Sequence, residues 1–270
     1  MKQSKKILIA NRGVIAIRAL RAARELGYSV ASVYSTIDRD QKHLKLSDEA
    51  ICIGPPETKD SYLNEAAIIS AAELSGADAI YPGFGFLAEN ASFAEKCRES
   101  GFKFIGPDPE VIAIMGDKIK AKELAKSLNI PVVPGYEGEI STENEAIKIV
   151  EEIGYPVIIK ASAGGGGRGM RVVNSSDELW QSIQSAQNEA ELAFGDGKIF
   201  IEKYLKKPRH IEVQIFGNGE GEAVHLFTRD CSLQRKYQKI IEEAPALNID
   251  NQKLEEIQNL SVEACKKLNY

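Results

Sequence analysis

The sequence predicts an α/β protein in which an amino-terminal domain with a doubly wound, Rossmann-like parallel sheet is followed by an α+β domain. Over the first ~110 residues, short apolar runs alternate with amphipathic helical patterns. This alternation is typical of parallel strands joined by right-handed helical crossovers. The pattern changes between Pro107 and Met115. Beyond that change, short strands separated by glycine turns indicate antiparallel pairing.

The elements of the amino-terminal domain follow from the spacing of its apolar residues. The run Ile7–Ala10 predicts the first strand, and apolar residues spaced for one helix face follow from Ile15 to Leu26. Gly27 is well placed to end that helix in a left-handed conformation. The remaining predicted elements are strands at Ser29–Tyr34, Ala50–Ile53, Ala79–Tyr81 and Phe102–Ile105, and helices at Ile68–Leu74 and Phe93–Ser100.

A helix is predicted at Ile119–Leu128, and a new module begins at Val132–Val133, after Pro131. Thr142 with Glu145, and again Ser175 with Glu178, have the spacing of a capping box, in which a hydroxyl and an acidic side chain close the first turn of a helix. The other predicted elements are helices ending near Ile153 and Phe194, strands at Tyr155–Ala161, Met170–Val173 and Ile199–Lys203, an antiparallel hairpin of Arg209–Phe216 with Ala223–Arg229, and a final helix from about Asp250.

Composition and charge narrow the class of protein. The chain has 270 residues, enough for two domains, and its 43% hydrophobic and 27% charged residues are ordinary for a soluble protein. A net charge of −5 argues against a nucleic-acid partner. No run approaches the ~20 apolar residues that cross a bilayer, and the apolar run after Lys6 is too short for a secretion signal, so a cytoplasmic location is expected. The four widely spaced cysteines match no metal motif and are expected to be free thiols.

A glycine-rich segment, Gly164–Gly169, follows a strongly apolar strand. Glycine loses the most entropy on ordering, so successive glycines indicate a backbone whose N–H groups approach a ligand such as a phosphate. The segment leads into a strand and lacks the G-K-[ST] of a P-loop, which favours a flap over phosphates; a plain hairpin turn is the alternative. Lys160 ends the preceding strand and is the expected phosphate contact, unless it is a solvated strand end.

Other segments contain weaker candidates. The backbone of Glu202–Leu205 could bind an adenine at a strand edge, although an ordinary strand-end charge pair is the simpler interpretation. The segment Arg229–Lys239 concentrates basic and amide side chains, and it is either an anion-binding loop or a solvated one. Lys118 near a helix start and His210 at a strand start are weak candidates when taken alone. The turn Asn11-Arg12-Gly13 lacks the dinucleotide fingerprint, so NAD or FAD is not expected there.

Six motifs occur together and in order along the chain. They are Asn11-Arg12-Gly13, the segment Tyr81–Asn90, Met115-Gly116-Asp117-Lys118, the segment Lys160–Met170, Pro208-Arg209-His210 and Arg229-Asp230-Cys231-Ser232. Any one of them is weak evidence, but six in register are specific. On these motifs the chain resembles the biotin carboxylase family of the ATP-grasp superfamily over essentially its whole length.

The resemblance implies a domain order and a set of binding residues. An amino-terminal domain at 1–114 would precede an incomplete α+β ATP-grasp domain at 115–270, with a glycine-rich lid subdomain at about 132–203. The phosphates of ATP are then expected at Lys118 and Lys160, with Gly166 and Gly167 closing over them. The adenine is expected at Glu202, Lys203, Tyr204 and Leu205, and the ribose at His210, Gln234 and Tyr237. Lys239 is the implied catalytic residue and would bind bicarbonate, and Phe84 would lie near biotin. The family commonly has a tyrosine at the position of Phe84 and a histidine at that of Tyr237.

The implied activity is the ATP- and bicarbonate-dependent carboxylation of biotin through carboxyphosphate, the first half-reaction of a carboxylase such as acetyl-CoA carboxylase. The implied cofactors are ATP and Mg²⁺ or Mn²⁺, with biotin as a carried substrate. A biotin carboxyl carrier, a carboxyltransferase and a second copy of the chain are the implied partners.

In the family the metal-binding carboxylates lie beyond the position of Tyr270, so the chain is expected to hold no metal ligand and to be inactive by itself. Two alternatives remain: another carboxyphosphate-forming ligase similar to carbamoyl-phosphate synthetase, and a non-catalytic ATP-binding module.

Overall fold

A five-stranded parallel sheet organises the amino-terminal part of the chain. The computed structural model describes residues 5–136, 138–161, 170–195, 197–235 and 238–270, without the side chains of residues 118, 119, 193 and 194. The chain divides into two units. The first comprises Met1–Leu124, Gly217–Glu222 and Cys265–Tyr270, and the second comprises Ala125–Phe216 and Ala223–Ala264.

From Lys6 to Phe104 strands alternate with helices, as the apolar spacing predicts, and two further helices follow. They are β1 (Lys6–Ile9), α1 (Gly13–Glu25), β2 (Ser29–Ser35), α2 (Lys42–Leu46), β3 (Glu49–Gly54), α3 (Glu65–Ser75), β4 (Ala79–Tyr81), α4 (Ala91–Glu99), β5 (Lys103–Phe104), α5 (Pro109–Gly116) and α6 (Lys118–Ser127). The sheet order is β3-β2-β1-β4-β5, and every neighbouring pair is parallel. The predicted fold class is therefore confirmed, and Gly27 follows α1 with a φ of +79°, as expected for a helix end.

Both faces of this sheet are buried, which explains why its strands are rich in apolar residues. Leu8 packs in one core cluster with Val33, Ile80 and residues of α3 and α4, whereas its neighbour Ile9 packs in another cluster with residues of α1. Successive side chains of a strand point to opposite faces, and helical crossovers cover both faces of a parallel sheet. The carboxyl ends of β1 and β4 lie side by side, at the point where the strand order reverses.

The second unit is built around a four-stranded antiparallel sheet. Its elements are β6 (Gly135–Tyr136), α7 (Glu143–Ile153), β7 (Val157–Ala161), β8 (Arg171–Val173), α8 (Ser176–Phe194), β9 (Ile199–Lys203), β10 (Ile211–Gly217), β11 (Ala223–Asp230), β12 (Gln234–Arg235), β13 (Gln238–Lys239) and α9 (Asn251–Lys267). The sheet order is β6-β9-β7-β8, and β10 pairs with β11 and β12 with β13 in two small ribbons. Apolar residues of α7 and α8 pack on the sheet around Val157, Ile159 and Ile201.

The two predicted capping boxes have different outcomes. Thr142 caps α7, because its hydroxyl accepts a hydrogen bond from the Glu145 amide at 3.3 Å. The Glu145 carboxylate reaches back to the Ser141 amide at 3.0 Å. The prediction for Ser175 is wrong: it has the extended backbone of a cap, but its side chain makes no capping hydrogen bond within the part of the chain that the structure describes. Acidic residues in the first turn of α8 complement the helix dipole there instead.

Two further expectations concern the cysteines and the possibility of a membrane-spanning helix. All four cysteines are free, and two of them, Cys97 and Cys231, are buried. None of the described helices combines the length and the apolar character that a membrane span requires.

Candidate functional site

A charge pair links two central strands of the antiparallel sheet. Lys160 lies opposite Phe200 in the register of β7 and β9, and Glu202 lies opposite Ile158, so Lys160 and Glu202 are diagonal neighbours on one face. The Lys160 Nζ is 2.6 Å from a carboxylate oxygen of Glu202, and the two side chains are 30% and 12% exposed. The ammonium also lies 5.6 Å from the centre of the Phe200 ring. Lys160 is therefore held by an ion pair close to the end of β7 and remains partly exposed.

The glycine segment connects the two strands of a hairpin. β7 and β8 pair in antiparallel register, from Val157 with Val173 to Ile159 with Arg171, so the chain leaves beside Lys160 and returns next to it. This pairing agrees with the predicted strand–loop–strand context, which differs from a P-loop. Gly166, Gly167 and Tyr237 lie outside the described residues, and so does the side chain of Lys118, which begins α6.

The expectation that Glu202–Leu205 forms a strand edge is wrong. β9 lies between β6 and β7, and the short strand β6 covers the side that the sequence left open. The Lys203 amide donates to the Pro134 carbonyl at 2.8 Å, and the Tyr204 amide donates to the Pro156 carbonyl at 2.9 Å. Both amides are consequently occupied before any ligand arrives.

The side chain of Lys203 is also committed to the fold. Its Nζ donates to the carbonyls of Gly154 and Tyr155, at 2.9 and 2.6 Å, where α7 gives way to β7. By contrast, the backbone amide of Leu205 has no acceptor among the described residues, and its side chain is 49% exposed. Leu205 therefore provides the first backbone donor after β9 that a planar base could use.

A second group of charges surrounds Glu212 on β10. The Glu212 carboxylate accepts from Arg229 of β11 at 2.7 Å, from Lys239 of β13, and from the His210 ring at 3.1 Å. Hydrogen bonding from Lys239 lowers the pKa of Glu212 against the opposing effect of partial burial. The same contact raises the pKa of Lys239. Two cationic side chains, Arg229 and Lys239, therefore share the carboxylate of Glu212.

Neighbouring contacts fix the orientation of these side chains. Arg229 binds a second carboxylate, Glu242, at 2.9 Å, and this hydrogen bond raises its pKa. The Gln234 amide nitrogen is 2.7 Å from Nδ1 of His210 and 2.9 Å from the Cys231 carbonyl. An amide nitrogen only donates, so Nδ1 accepts and the ring proton is assigned to Nε2, which faces Glu212.

Several side chains of the predicted anion-binding segment thus join a hydrogen-bonded cluster, although Arg235, Gln238 and Lys239 are exposed. Sequence reasoning found His210, Gln234 and Lys239 and included Arg229 in the candidate segment, but it missed Glu212, the carboxylate that three of these side chains contact. The signal for Glu212 was present, because residues two apart on a strand point to the same face and Glu212 follows His210 at that spacing.

Two further observations complete the placement of the predicted residues. Phe84 belongs to the first unit, where it lies on the loop after β4 with 73% of its surface exposed. Within the described residues, no three histidine, cysteine, aspartate or glutamate side chains are grouped so that they could hold a metal ion.

Two family models cover nearly the whole chain. The model for the biotin carboxylase N-terminal domain matches residues 3–112, and the model for the ATP-binding domain of the carbamoyl-phosphate synthase L chain matches residues 117–270. The biotin carboxylase of Pseudomonas aeruginosa is 53% identical over 98% of this chain and 59% of its own length. The chain belongs to the biotin carboxylase family.

Solved structures of this family agree with the fold. The biotin carboxylase–βγ-ATP complex from Campylobacter jejuni has a TM-score of 0.87 and 49% identity, over 99% of this chain and 60% of that one. The biotin carboxylase domain dimer of the Hydrogenobacter thermophilus 2-oxoglutarate carboxylase, solved with MgADP, ADP and bicarbonate, has a TM-score of 0.85 and 46% identity, over 100% of this chain and 59% of that one. The chain thus spans about three fifths of the length of these relatives.

Proposed function

We propose that this chain binds ATP and bicarbonate for the carboxylation of biotin, as the first half-reaction of a biotin-dependent carboxylase. The observation that supports this best is the pair of charge groups in the second unit. Lys160 stands at the entrance of a glycine segment, and Lys239 and Arg229 stand together around Glu212. One group suits a polyphosphate, and the other suits a small planar anion.

For ATP, the expected contacts run from the phosphates to the base. Transfer of a phosphoryl group has a loose transition state whose charge is spread over its oxygens, so the protein contributes mainly positioned cations. Lys160 is such a cation, and Glu202 holds it in the absence of nucleotide. Lys118, Gly166 and Gly167 are proposed to complete the phosphate site. The Leu205 amide is proposed to donate to the adenine, together with carbonyls of the segment Glu202–Tyr204.

For bicarbonate, Lys239 and Arg229 are the proposed partners. A guanidinium matches a planar carboxylate-like anion with two parallel donors, and an ammonium adds a point charge. Glu212 keeps the two cations charged and close to each other. His210 and Gln234, whose contact is 2.7 Å, are proposed to face the ribose, with Tyr237 beside them.

The chemistry proceeds in two steps. A bicarbonate oxygen attacks the γ-phosphorus of ATP, so that carboxyphosphate forms and ADP leaves. Carboxyphosphate then releases CO₂ and phosphate next to the biotin ring, the phosphate takes the proton from the ring nitrogen, and that nitrogen forms the new bond to CO₂. Carboxyphosphate hydrolyses readily, and a lid that excludes water therefore favours transfer over loss. The glycine segment is proposed as part of that lid, and Phe84 as a contact of the biotin ring.

The proposal extends to the partners of the chain. Biotin would arrive on a carboxyl carrier, and a carboxyltransferase would pass the carboxyl group to an acyl-CoA such as acetyl-CoA. The Hydrogenobacter thermophilus relative is a dimer bound to MgADP and bicarbonate. By similarity we propose a homodimer that uses Mg²⁺, and we place the whole complex in the cytoplasm.

A second candidate comes from the family model over residues 117–270, which is described by carbamoyl-phosphate synthase. That enzyme class would use the same carboxyphosphate chemistry but would not respond to biotin. The biotin carboxylase relatives, which align over 98% of this chain, favour the first candidate. Biotin dependence separates the two.

The test uses this chain joined to the carboxyl-terminal part of the Pseudomonas aeruginosa biotin carboxylase that lies beyond the aligned region, hereafter the joined enzyme. ADP release is measured with MgATP and bicarbonate, with and without free biotin. We expect biotin to stimulate release and Lys239→Gln to abolish that stimulation, whereas Lys148→Gln, at an exposed position of α7, should leave it unchanged. Release that ignores biotin, or no release although the intact Pseudomonas enzyme is active, would contradict the proposal.

A further inference from the structure

The loop Pro82–Phe86, which presents Phe84, is tied to the end of β1 by one buried side chain. Asn11 is 1% exposed, and its amide nitrogen donates to the carbonyls of Pro82 and Phe84, at 2.8 and 2.9 Å. Gly83 packs so closely on this side chain that a Cβ would lie 2.9 Å from the same nitrogen. The path of the loop at its tip is therefore dictated by Asn11.

The far end of the loop is held in an uncommon conformation. Phe86 has a φ of +45°, a left-handed value that costs a non-glycine residue roughly 1–2 kcal/mol. Its ring stacks on Tyr62, with centroids 4.9 Å apart and an angle of 13° between the rings. The Arg12 guanidinium carbon lies 5.2 Å from the Tyr62 centroid and 5.6 Å from the Phe86 centroid. Ring stacking and a cation therefore offset the backbone strain.

A buried carboxylate holds this stack in place. One oxygen of Asp38 accepts from Arg12 at 3.0 Å and from the hydroxyls of Ser35 and Tyr62, each at 2.8 Å. Burial acts to raise the pKa of Asp38, but the three hydrogen bonds outweigh it and hold the pKa below its usual value. Asp38 thus remains ionised at neutral pH and fixes two of the side chains that hold Phe86.

We propose that Asp38 and Arg12 are positioning residues for the loop Pro82–Phe86, and that they set the affinity of the enzyme for biotin by fixing where Phe84 is presented. This inference rests on the proposed function, in which Phe84 contacts the biotin ring. Asp38 and Arg12 act through Tyr62 and Phe86 and need not touch the substrate.

The place of the cluster in the fold favours a role in binding over a role in stability alone. Asn11 and Arg12 follow β1, Asp38 follows β2, and the loop follows β4, so all of them lie at the carboxyl edge of the parallel sheet. In doubly wound sheets ligands bind at this edge, where the strand order reverses, here between β1 and β4. The network reaches from the buried Tyr62, which is 1% exposed, to a loop whose tip residue, Phe84, is 73% exposed, so a change in the network reaches the surface at this edge.

The first part of the test measures the loop without any ligand. Hydrogen exchange of the Ala88 amide, which donates to the Gly85 carbonyl at 2.9 Å and so is protected while the end of the loop keeps its conformation, is compared between the unmodified chain and Asp38→Asn. The matched control is Asp48→Asn, because Asp48 likewise pairs with an arginine, Arg24 at 2.9 Å, and accepts from a backbone amide in the same unit. We expect exchange of the Ala88 amide to rise at least about tenfold in Asp38→Asn, through local opening of the loop, and to stay unchanged in Asp48→Asn.

The second part measures the kinetic consequence in the joined enzyme. A loop displaced by about 1 Å can reduce productive binding by up to a hundredfold. We expect Asp38→Asn to raise the KM for biotin at least about tenfold while the KM for ATP keeps its unmodified value. Arg12→Met should likewise raise the KM for biotin and leave the KM for ATP unchanged. Arg12→Lys keeps the charge but not the planar stacking group, and it should give an intermediate KM for biotin.

The outcomes separate this inference from the proposed function. Unchanged exchange of the Ala88 amide in both Asp38→Asn and Arg12→Met would overturn the positioning role, whatever the enzyme does. Faster exchange with an unchanged KM for biotin would overturn its link to affinity, and so would a parallel rise in the KM for ATP. An unmodified joined enzyme that ignores biotin would overturn the proposed function itself, and with it the link to biotin, while the exchange data would still decide whether Asp38 orders the loop.

Discussion

Replacing Lys160 with methionine removes the ammonium group that we place on the ATP phosphates and keeps a side chain of similar length. A hydrogen bond to a charged group contributes about 1.5–3 kcal/mol. In the ligand-free chain the ammonium is already bound to Glu202 at 2.6 Å, so ATP must displace or share that contact. We therefore expect a loss in the lower part of the range, about 2 kcal/mol, which at 1.4 kcal/mol per tenfold is about 30-fold weaker binding.

The assay is calorimetric titration of the chain with MgATP, with thermal unfolding as the check on the fold. Lys148→Met is the matched control, because Lys148 is exposed on α7 in the same unit, and it should bind ATP as the unmodified chain does. Glu202→Gln keeps Lys160 but removes its competitor, so its affinity for ATP should be equal or higher. A folded Lys160→Met variant that binds ATP within about threefold of the unmodified chain would refute the phosphate role of Lys160.

Asp230→Asn should make the free energy of unfolding less dependent on pH in acid. Hydrogen bonds from a neighbouring serine and from an arginine lower the pKa of Asp230 to about 2. The contribution of Asp230 to the free energy of unfolding is therefore complete above about pH 4 and is lost as the pH falls towards 2. An unchanged urea midpoint profile between pH 4 and pH 2 would contradict this. Thr142→Ala should lower the free energy of unfolding by about 1 kcal/mol, because the cap of α7 is lost. Ser175→Ala should change it by less than about 0.5 kcal/mol, since Ser175 makes no capping bond in the described structure. Equal losses for the two variants in urea unfolding would contradict this. Gly83→Ala should cost about 2–4 kcal/mol, because its φ is +70° and a Cβ would lie 2.6 Å from an isoleucine methyl group. Gly85→Ala, with a φ of +67° in open space, should cost only about 1 kcal/mol in the same unfolding measurement, and similar losses for the two variants would contradict the packing argument.

The sequence predicted the elements whose signal is local and periodic. The strand β1 and the helix α1 were expected within a few residues of their actual bounds, because one needs a short apolar run and the other a regular helical face. The helix α2 was not predicted, since its five residues are too few to show a helical period. The strand β6 was missed for a similar reason: two residues carry no alternation.

Contacts that depend on register could not be predicted from one sequence. Glu202 was placed at the adenine, and its pairing with Lys160, 42 residues away, appears only once β7 and β9 are aligned. In the same way β9 was expected at an edge, because nothing in the sequence places β6 beside it. Motif spacing predicts the chemistry of the site, whereas the partner of each side chain depends on pairings between distant segments.

The central claim is that this chain serves the transfer of a carboxyl group to biotin, and the product tests it most directly. The joined enzyme is incubated with MgATP, biotin and ¹⁴C-bicarbonate, and biotin is recovered under alkaline conditions and then acidified. The account predicts label on biotin that needs ATP, is released as CO₂ on acidification, and is absent in Lys239→Gln. ADP release without label on biotin would contradict the account, and label that persists in Lys239→Gln would contradict the role given to that residue.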